Sequence, residues 1–318
     1  MPTHTASNAA HFSPNAKTNT PTAVFIGGTS GIGEAMARSF AQYTNGKANI
    51  AIVGRNRDAG ERILAELPKP SDAKEPACSR LFIQCDVSLM RNIPPAVEQL
   101  TAAFSKINYL ILSTGFLDFS DRKETPEGLE YRLAVSYYSR WFFTKELIGL
   151  VENAKGAAGE EPVAVMSVLA AGYGGEIDQE DWEIKNQYTT MKAIVAAATY
   201  NDLLVEGFAE RHASVPFVHT HPGMVRTPIF RNSPSLVWNF LGVLVHTVGR
   251  LFTISAEQSS DEMWNIIAGV DNVGGSFRMD PNGKNLEKGV KYFGTVEKRE
   301  GLWQHTESVI SRSLKAQI

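Results

Sequence analysis

Cysteine is nearly absent from the 318 residues: Cys78 and Cys85 are the two present. A chain of this length does not depend on one short-loop disulfide, so both are expected to be ordinary thiols and the expected compartment is reducing, the cytoplasm. An excess of charge of one sign is missing as well. The 31 Lys and Arg side chains are mixed with 34 Asp and Glu for a formal net charge of -3, which excludes the basic face that a nucleic-acid partner needs. Long apolar runs are missing too. Leu236 to Phe252 comes nearest, but Asn239, Gly242, His246, Gly249 and Arg250 interrupt it and it falls short of the ~20 residues of a membrane span. The first twenty residues, rich in Thr, Asn, Ala and Ser, hold no signal-peptide core and are expected to form a disordered tail. His219 and His221 share a strand face with no third ligand at suitable spacing, so no metal site is expected. No internal repeat or linker divides the chain.

What is present is a globular composition, 43% apolar, in an alternating pattern. Runs rich in β-branched residues lie at Ala23 to Ile26, Ala48 to Val53, Leu81 to Cys85, Tyr109 to Leu112, Pro162 to Met166 and Val215 to Thr220. Between them, Gly33 to Tyr43, Leu89 to Ser105, Leu129 to Val151 and Tyr188 to Glu210 have the length of crossover helices. Strand and helix in alternation predict a doubly wound α/β domain: one parallel Rossmann-type sheet of about seven strands, helices on both faces, over residues 21–318. Lys69 to Glu75, among Pro68, Pro70 and Pro76, is expected to be a surface connection.

The first strand runs straight into Gly27-Gly28-Thr29-Ser30-Gly31-Ile32-Gly33, followed by a helical segment from Glu34. A backbone that turns tightly against a pyrophosphate needs residues without Cβ, and the free N–H groups of the next helix attract the anion. Gly27, Thr29, Ser30, Gly31, Ile32 and Gly33 are therefore candidate cofactor-binding residues. The second strand closes as Val53-Gly54-Arg55-Asn56-Arg57. No acid stands at this corner to hold ribose hydroxyls, whereas Arg55, with Asn56 beside it, can grip a 2'-phosphate, so NADPH is favoured over NADH. Asp86 and Val87 follow the third strand, where Asp86 is placed either for the adenine edge or as a helix cap toward Ser88.

Tyr188 and Lys192 are four residues apart in an apolar segment read as helical, which puts them on one face. A nearby ammonium lowers a phenol's pKa from its ordinary value of about 10, so Tyr188 can relay a proton.

With the glycine loop IGGTSGIG at Ile26 to Gly33, YTTMK at Tyr188 to Lys192 and PGMVRT at Pro222 to Thr227 in this order, the chain resembles the short-chain dehydrogenase/reductase family from about Thr22 to beyond Ala268, particularly its retinol-dehydrogenase-like and fungal secondary-metabolism members. The resemblance implies that Ser167, in VMSVLAAG, bonds the substrate oxygen, that Lys192 holds the nicotinamide ribose, and that Tyr188 is catalytic and lies at the cofactor. It also implies that Thr114, Gly115, Pro222, Gly223, Val225 and Thr227 line the cofactor. Homodimers or homotetramers are usual in similar proteins. Three departures stand out: LSTG at Leu112 to Gly115 replaces the family's NNAG, Ile26 replaces a Thr, and Ser136 aligns with a catalytic Asn. A hydroxyl offers fewer simultaneous hydrogen bonds than an amide, so an altered water relay behind Lys192 is expected.

On the substrate side, Tyr173 and Trp182 lie in a long loop after Ser167. Ile229, Phe230, Trp238, Phe240, Leu241, Leu244 and Val245 make an apolar region within 224–255 that reads equally as a substrate lid or as a core or dimer helix. The reading that follows is an NADPH-dependent ketone or aldehyde reductase, or the reverse alcohol dehydrogenase, for a lipophilic small molecule. Two others stay open: a non-redox isomerase or dehydratase on the same fold, and an NADPH-binding regulator without turnover.

Overall fold

Residues in a central strand of a parallel sheet are covered on both sides, and Thr22–Ile26 (β1) meets that condition, with all five side chains buried. Alternation sends Val24 and Ile26 to one face and Ala23 and Phe25 to the other. A computed structural model describes residues 4–13, 20–70, 78–116, 120–156, 161–226, 253–287 and 291–315 of the chain. Its other strands are β2 (Asn49–Gly54), β3 (Arg80–Gln84), β4 (Tyr109–Leu112), β5 (Ala164–Val168), β6 (Pro216–Thr220) and β7 (Gly275–Met279). They form one parallel sheet in the order β3-β2-β1-β4-β5-β6-β7. The order reverses between β1 and β4, which opens a crevice at their carboxyl ends.

The helices lie on both faces. On one side, α1 (Thr5–Phe12), α2 (Gly31–Tyr43), α3 (Arg57–Glu66) and, late in the chain, α8 (Ala256–Val270) contribute to the cluster containing Phe40, Ile63 and Trp264. On the other, α4 (Ile93–Ala103), the short α5 (Tyr131–Leu133), α6 (Ser139–Lys155), α7 (Thr190–Arg211) and α9 (Val296–Lys315) pack around Trp141, Tyr200 and Phe208. A π-helical turn, Ala134–Tyr138, joins α5 to α6. Such turns insert one residue into the helical ladder and commonly mark functional positions.

Three expectations need correction. The N-terminal segment holds a helix: Phe12 enters an aromatic cluster with Phe40, Tyr43, Tyr109 and Trp264, and Asn8 donates to the carbonyl of Asp261. Phe12 docks it together with the polar contacts of Asn8 and His11. Helix α2 begins at Gly31 rather than Glu34. Tyr188 precedes its helix, because the Thr189 side chain accepts the Lys192 N–H as N-cap and Gln187 sits at φ 46°. Neither Cys78 nor Cys85 forms a disulfide, and burial pushes the Cys85 thiol up to about 12. Most of the expected lid, with Thr227, and the 71–75 part of the expected surface connection lie outside the described residues. Among the described residues no helix is long and apolar enough to cross a membrane.

Candidate active site

The glycine loop sits where β1 meets the crevice. Gly27 (φ 94°) and Gly31 (φ 61°) occupy the left-handed region that favours glycine. A Cβ on Gly27 would stand 2.7 Å from the Thr114 amide nitrogen, and one on Gly33 would stand 2.4 Å from Ser113 Oγ. These glycines therefore let the loop pack directly on the end of β4. Ser30 is the N-cap of α2 but makes no side-chain cap bond, so among the described residues the first-turn N–H groups of Ile32 and Gly33 have no side-chain acceptor. That donor set fits a pyrophosphate. Thr29 lies against Gly54, bringing the loop to the end of β2.

At that end Arg55 is exposed, and its guanidinium donates to the Tyr131 hydroxyl at 3.4 Å. Asn56 is committed elsewhere: its Oδ1 accepts the Ala59 N–H as the N-cap of α3. Asp86 accepts from the N–H and hydroxyl of Ser88 through one oxygen, Oδ1. Val87 is buried beside it. Gly115 faces open space, Gly223 takes φ 79°, the Pro222 carbonyl accepts from Ser259, and Val225 bridges Ile254.

Ser167, at the end of β5, is 1% exposed. Its hydroxyl accepts from Arg140 Nη1 (2.5 Å) and donates to Asn201 Oδ1 (2.7 Å). Arg140 also donates to the carbonyls of Thr114 (2.5 Å) and Val168 (3.1 Å). Among the described residues no carboxylate pairs with this guanidinium. Burial pulls it down to about 9, which leaves it charged at neutral pH. Asn201 Nδ2 closes the network on the carbonyl of Ser136 (2.8 Å), within the π-helical turn. Arg140 thus ties α6 to the ends of β4 and β5. Arg140 and Asn201 were not foreseen, although an arginine inside the apolar run SYYSRWFF was a legible sign.

The Tyr188 phenol accepts from Arg132 Nη1 (2.5 Å) and donates to Glu130 Oε1 (3.2 Å). Burial and the Glu130 charge raise it above its ordinary value, against the pull of Arg132, rather than lowering it as the Lys192 spacing implied. Lys192 Nζ donates to the Asn186 carbonyl at 3.2 Å. Among the described residues no hydrogen bond joins Ser167, Tyr188 and Lys192 to one another; each is held by its own partners.

His219 is a support. It bonds Asp202 through Nδ1 (2.6 Å) and accepts the Ala170 N–H at Nε2 (3.1 Å), and burial keeps it neutral. Among the described residues no group of side chains could hold a metal. Trp182 stacks on His305 and gives its carbonyl to Tyr200, so it packs locally. Tyr173 is exposed beside His221.

The family model for short chain dehydrogenase matches residues 21–235. The chain is 34% identical to an oxidoreductase of Emericella nidulans, AN1596, over 241 residues, 76% of this chain and 69% of that protein. It is 35% identical to the oxidoreductase andH of Emericella variicolor over 237 residues, 74% of this chain and 66% of that protein. It therefore spans about two thirds of the length of these curated relatives. An alcohol dehydrogenase from the archaeon Thermococcus sibiricus, solved with 5-hydroxy-NADP, shares the fold: TM-score 0.60 at 15% identity, covering 85% of this chain and 100% of that one. With the glycine loop on the crevice and a tyrosine and lysine of the YxxxK pattern in place, the chain belongs to the short-chain dehydrogenase family and is a nicotinamide-dependent oxidoreductase.

Proposed function

We propose that the protein uses NADPH to reduce a ketone or aldehyde carbon of a lipophilic small molecule, with Tyr188 as proton donor. The observation that carries this reading is the hydrogen bond from the Tyr188 hydroxyl to the Glu130 carboxylate: the phenol holds its proton there, and that is the form that can pass a proton to a carbonyl oxygen. A bound nicotinamide supplies the hydride to the carbon. Loop residues 27–33 and the start of α2 hold the pyrophosphate, and Arg55 holds the 2'-phosphate, since no acid at 54–57 would repel it. Lys192 holds the nicotinamide ribose after leaving the Asn186 carbonyl. Ser167 orients the substrate oxygen; its one hydrogen now goes to Asn201, so donating to substrate requires an exchange of partners. The apolar side chains of the 224–255 segment suit a hydrophobic molecule.

The test is a panel of lipophilic ketones and aldehydes with NADPH or NADH, read at 340 nm with alcohol quantified in parallel. The reading predicts stoichiometric NADPH loss and alcohol formation, with NADH markedly poorer. Absence of cofactor oxidation across the panel, or equal use of NADH, would count against it.

A further inference from the structure

Two charged side chains that belong to neither the YxxxK pattern nor the Ser167 network close on the Tyr188 phenol. Both come from the chain entering the π-helical turn. Glu130 is the N-cap of α5, its Oε2 accepting the Leu133 N–H at 2.7 Å, and its side chain is fully buried. Its Oε1 meets the Tyr188 hydroxyl at 3.2 Å and Arg132 Nη1 at 3.4 Å. Arg132 Nη1 in turn reaches the phenol oxygen at 2.5 Å, while Nη2 donates to the Ser120 carbonyl and the guanidinium lies over Phe116. The three groups form a closed triangle in which the phenol accepts from a cation and donates to an anion. Among the described residues the Thr190 hydroxyl, which donates to the Ser120 carbonyl, also stands at the phenol, while Lys192 is turned to the Asn186 carbonyl.

Each charge has one effect on the phenol. A carboxylate facing the hydroxyl favours the protonated form, because a phenolate would stand against it. A guanidinium favours the phenolate, because its hydrogen bond strengthens when the acceptor becomes an anion. Glu130 also holds Arg132, so removal of either changes the phenol.

We propose that Glu130 and Arg132 are a positioning pair that sets the protonation of Tyr188, Glu130 keeping the phenol protonated at rest and Arg132 supporting the phenolate left after proton transfer. This rests on Tyr188 being the proton donor. In that step hydride joins the carbonyl carbon, the C=O π bond breaks, and the Tyr188 proton forms the new O–H bond. The substrate is reduced, the nicotinamide is oxidised, and water returns the proton to Tyr188.

The test is the titration of Tyr188 in the full chain labelled with 13Cζ-tyrosine, followed by NMR without substrate. The chain has nine tyrosines, and Tyr188→Phe identifies the resonance by its loss. Glu130→Gln is expected to move the titration down by about one pH unit, roughly a tenfold gain in phenolate fraction below the midpoint. Arg132→Met moves it up by a similar amount, and Arg132→Lys lies between that variant and the wild type. Glu130→Gln is isosteric and decides the matter alone should Arg132→Met not fold. An unchanged midpoint in folded Glu130→Gln protein overturns the pair. Full turnover by Tyr188→Phe would instead remove the proton-donor reading while leaving the titration shifts in place, so the two failures are distinct.

Discussion

Arg140 Nη1 donates to Ser167 Oγ across 2.5 Å, fastening helix α6 to the end of β5 through a buried cation. The same guanidinium satisfies the Thr114 and Val168 carbonyls. Arg140→Met would keep the volume and leave those oxygens without a donor. At ~1–3 kcal/mol for each unsatisfied buried acceptor, less what is regained by removing an unpaired charge, a net loss of about 2–4 kcal/mol is expected. Urea denaturation measures it; a midpoint equal to the wild type would show that Arg140 holds nothing.

Gly33 has no room for a side chain: its Cβ would stand 2.4 Å from Ser113 Oγ and 2.6 Å from the Gly27 carbonyl oxygen. The serine can turn away, but the backbone oxygen cannot. Gly33→Ala is expected to open the loop and weaken NADPH binding by about 10- to 100-fold, the equivalent of ~1–3 kcal/mol of overpacking. Gly115→Ala, where a Cβ would meet nothing within 4 Å, should fold as stably as the wild type. Fluorescence titration with NADPH and thermal melts of both variants check this contrast.

Arg55 separates the two cofactors. Losing a charge-assisted contact worth ~1.5–3 kcal/mol raises the Kd for NADPH about 10- to 100-fold in Arg55→Ala. The Kd for NADH should stay within about twofold. Equal losses for both cofactors would place Arg55 away from the 2'-phosphate.

The sheet was legible because buried parallel strands are written as short apolar runs between helical segments, and six of the seven could be placed within two residues. The seventh, Gly275–Met279, could not, since GSFRM has a glycine, a serine and an arginine where a central strand has apolar residues. The glycine loop was legible for a similar reason: a strand, a run of glycines and a helix leave few backbone paths. The partners of Tyr188 and Ser167 were not. Glu130, Arg132, Arg140 and Asn201 lie far from the motif residues in sequence, and tertiary packing alone brings them in. Helix α1 escaped notice because eight residues with one aromatic form no stable helix in isolation and depend on the face they dock against.

That docking is pH-dependent. The hydrogen bond from His11 to Asp271 raises the histidine above its ordinary value of 6.5. With the folded pKa above the unfolded one, the stabilisation is fully present below about pH 6.5 and is lost as pH rises through the raised value. The wild type should therefore lose stability relative to His11→Gln as pH rises past 6.5, read from melting temperatures. Parallel pH profiles would mean that the pair contributes nothing.

The central claim, that Tyr188 gives the proton as hydride reaches carbon, is tested most directly by single-turnover reduction of a ketone substrate with wild-type and Tyr188→Phe protein preloaded with NADPH. The account predicts that the variant binds NADPH as tightly as the wild type and oxidises it about 100- to 10,000-fold more slowly. Oxidation at the wild-type rate by Tyr188→Phe, or product formed with no loss of NADPH, would contradict it.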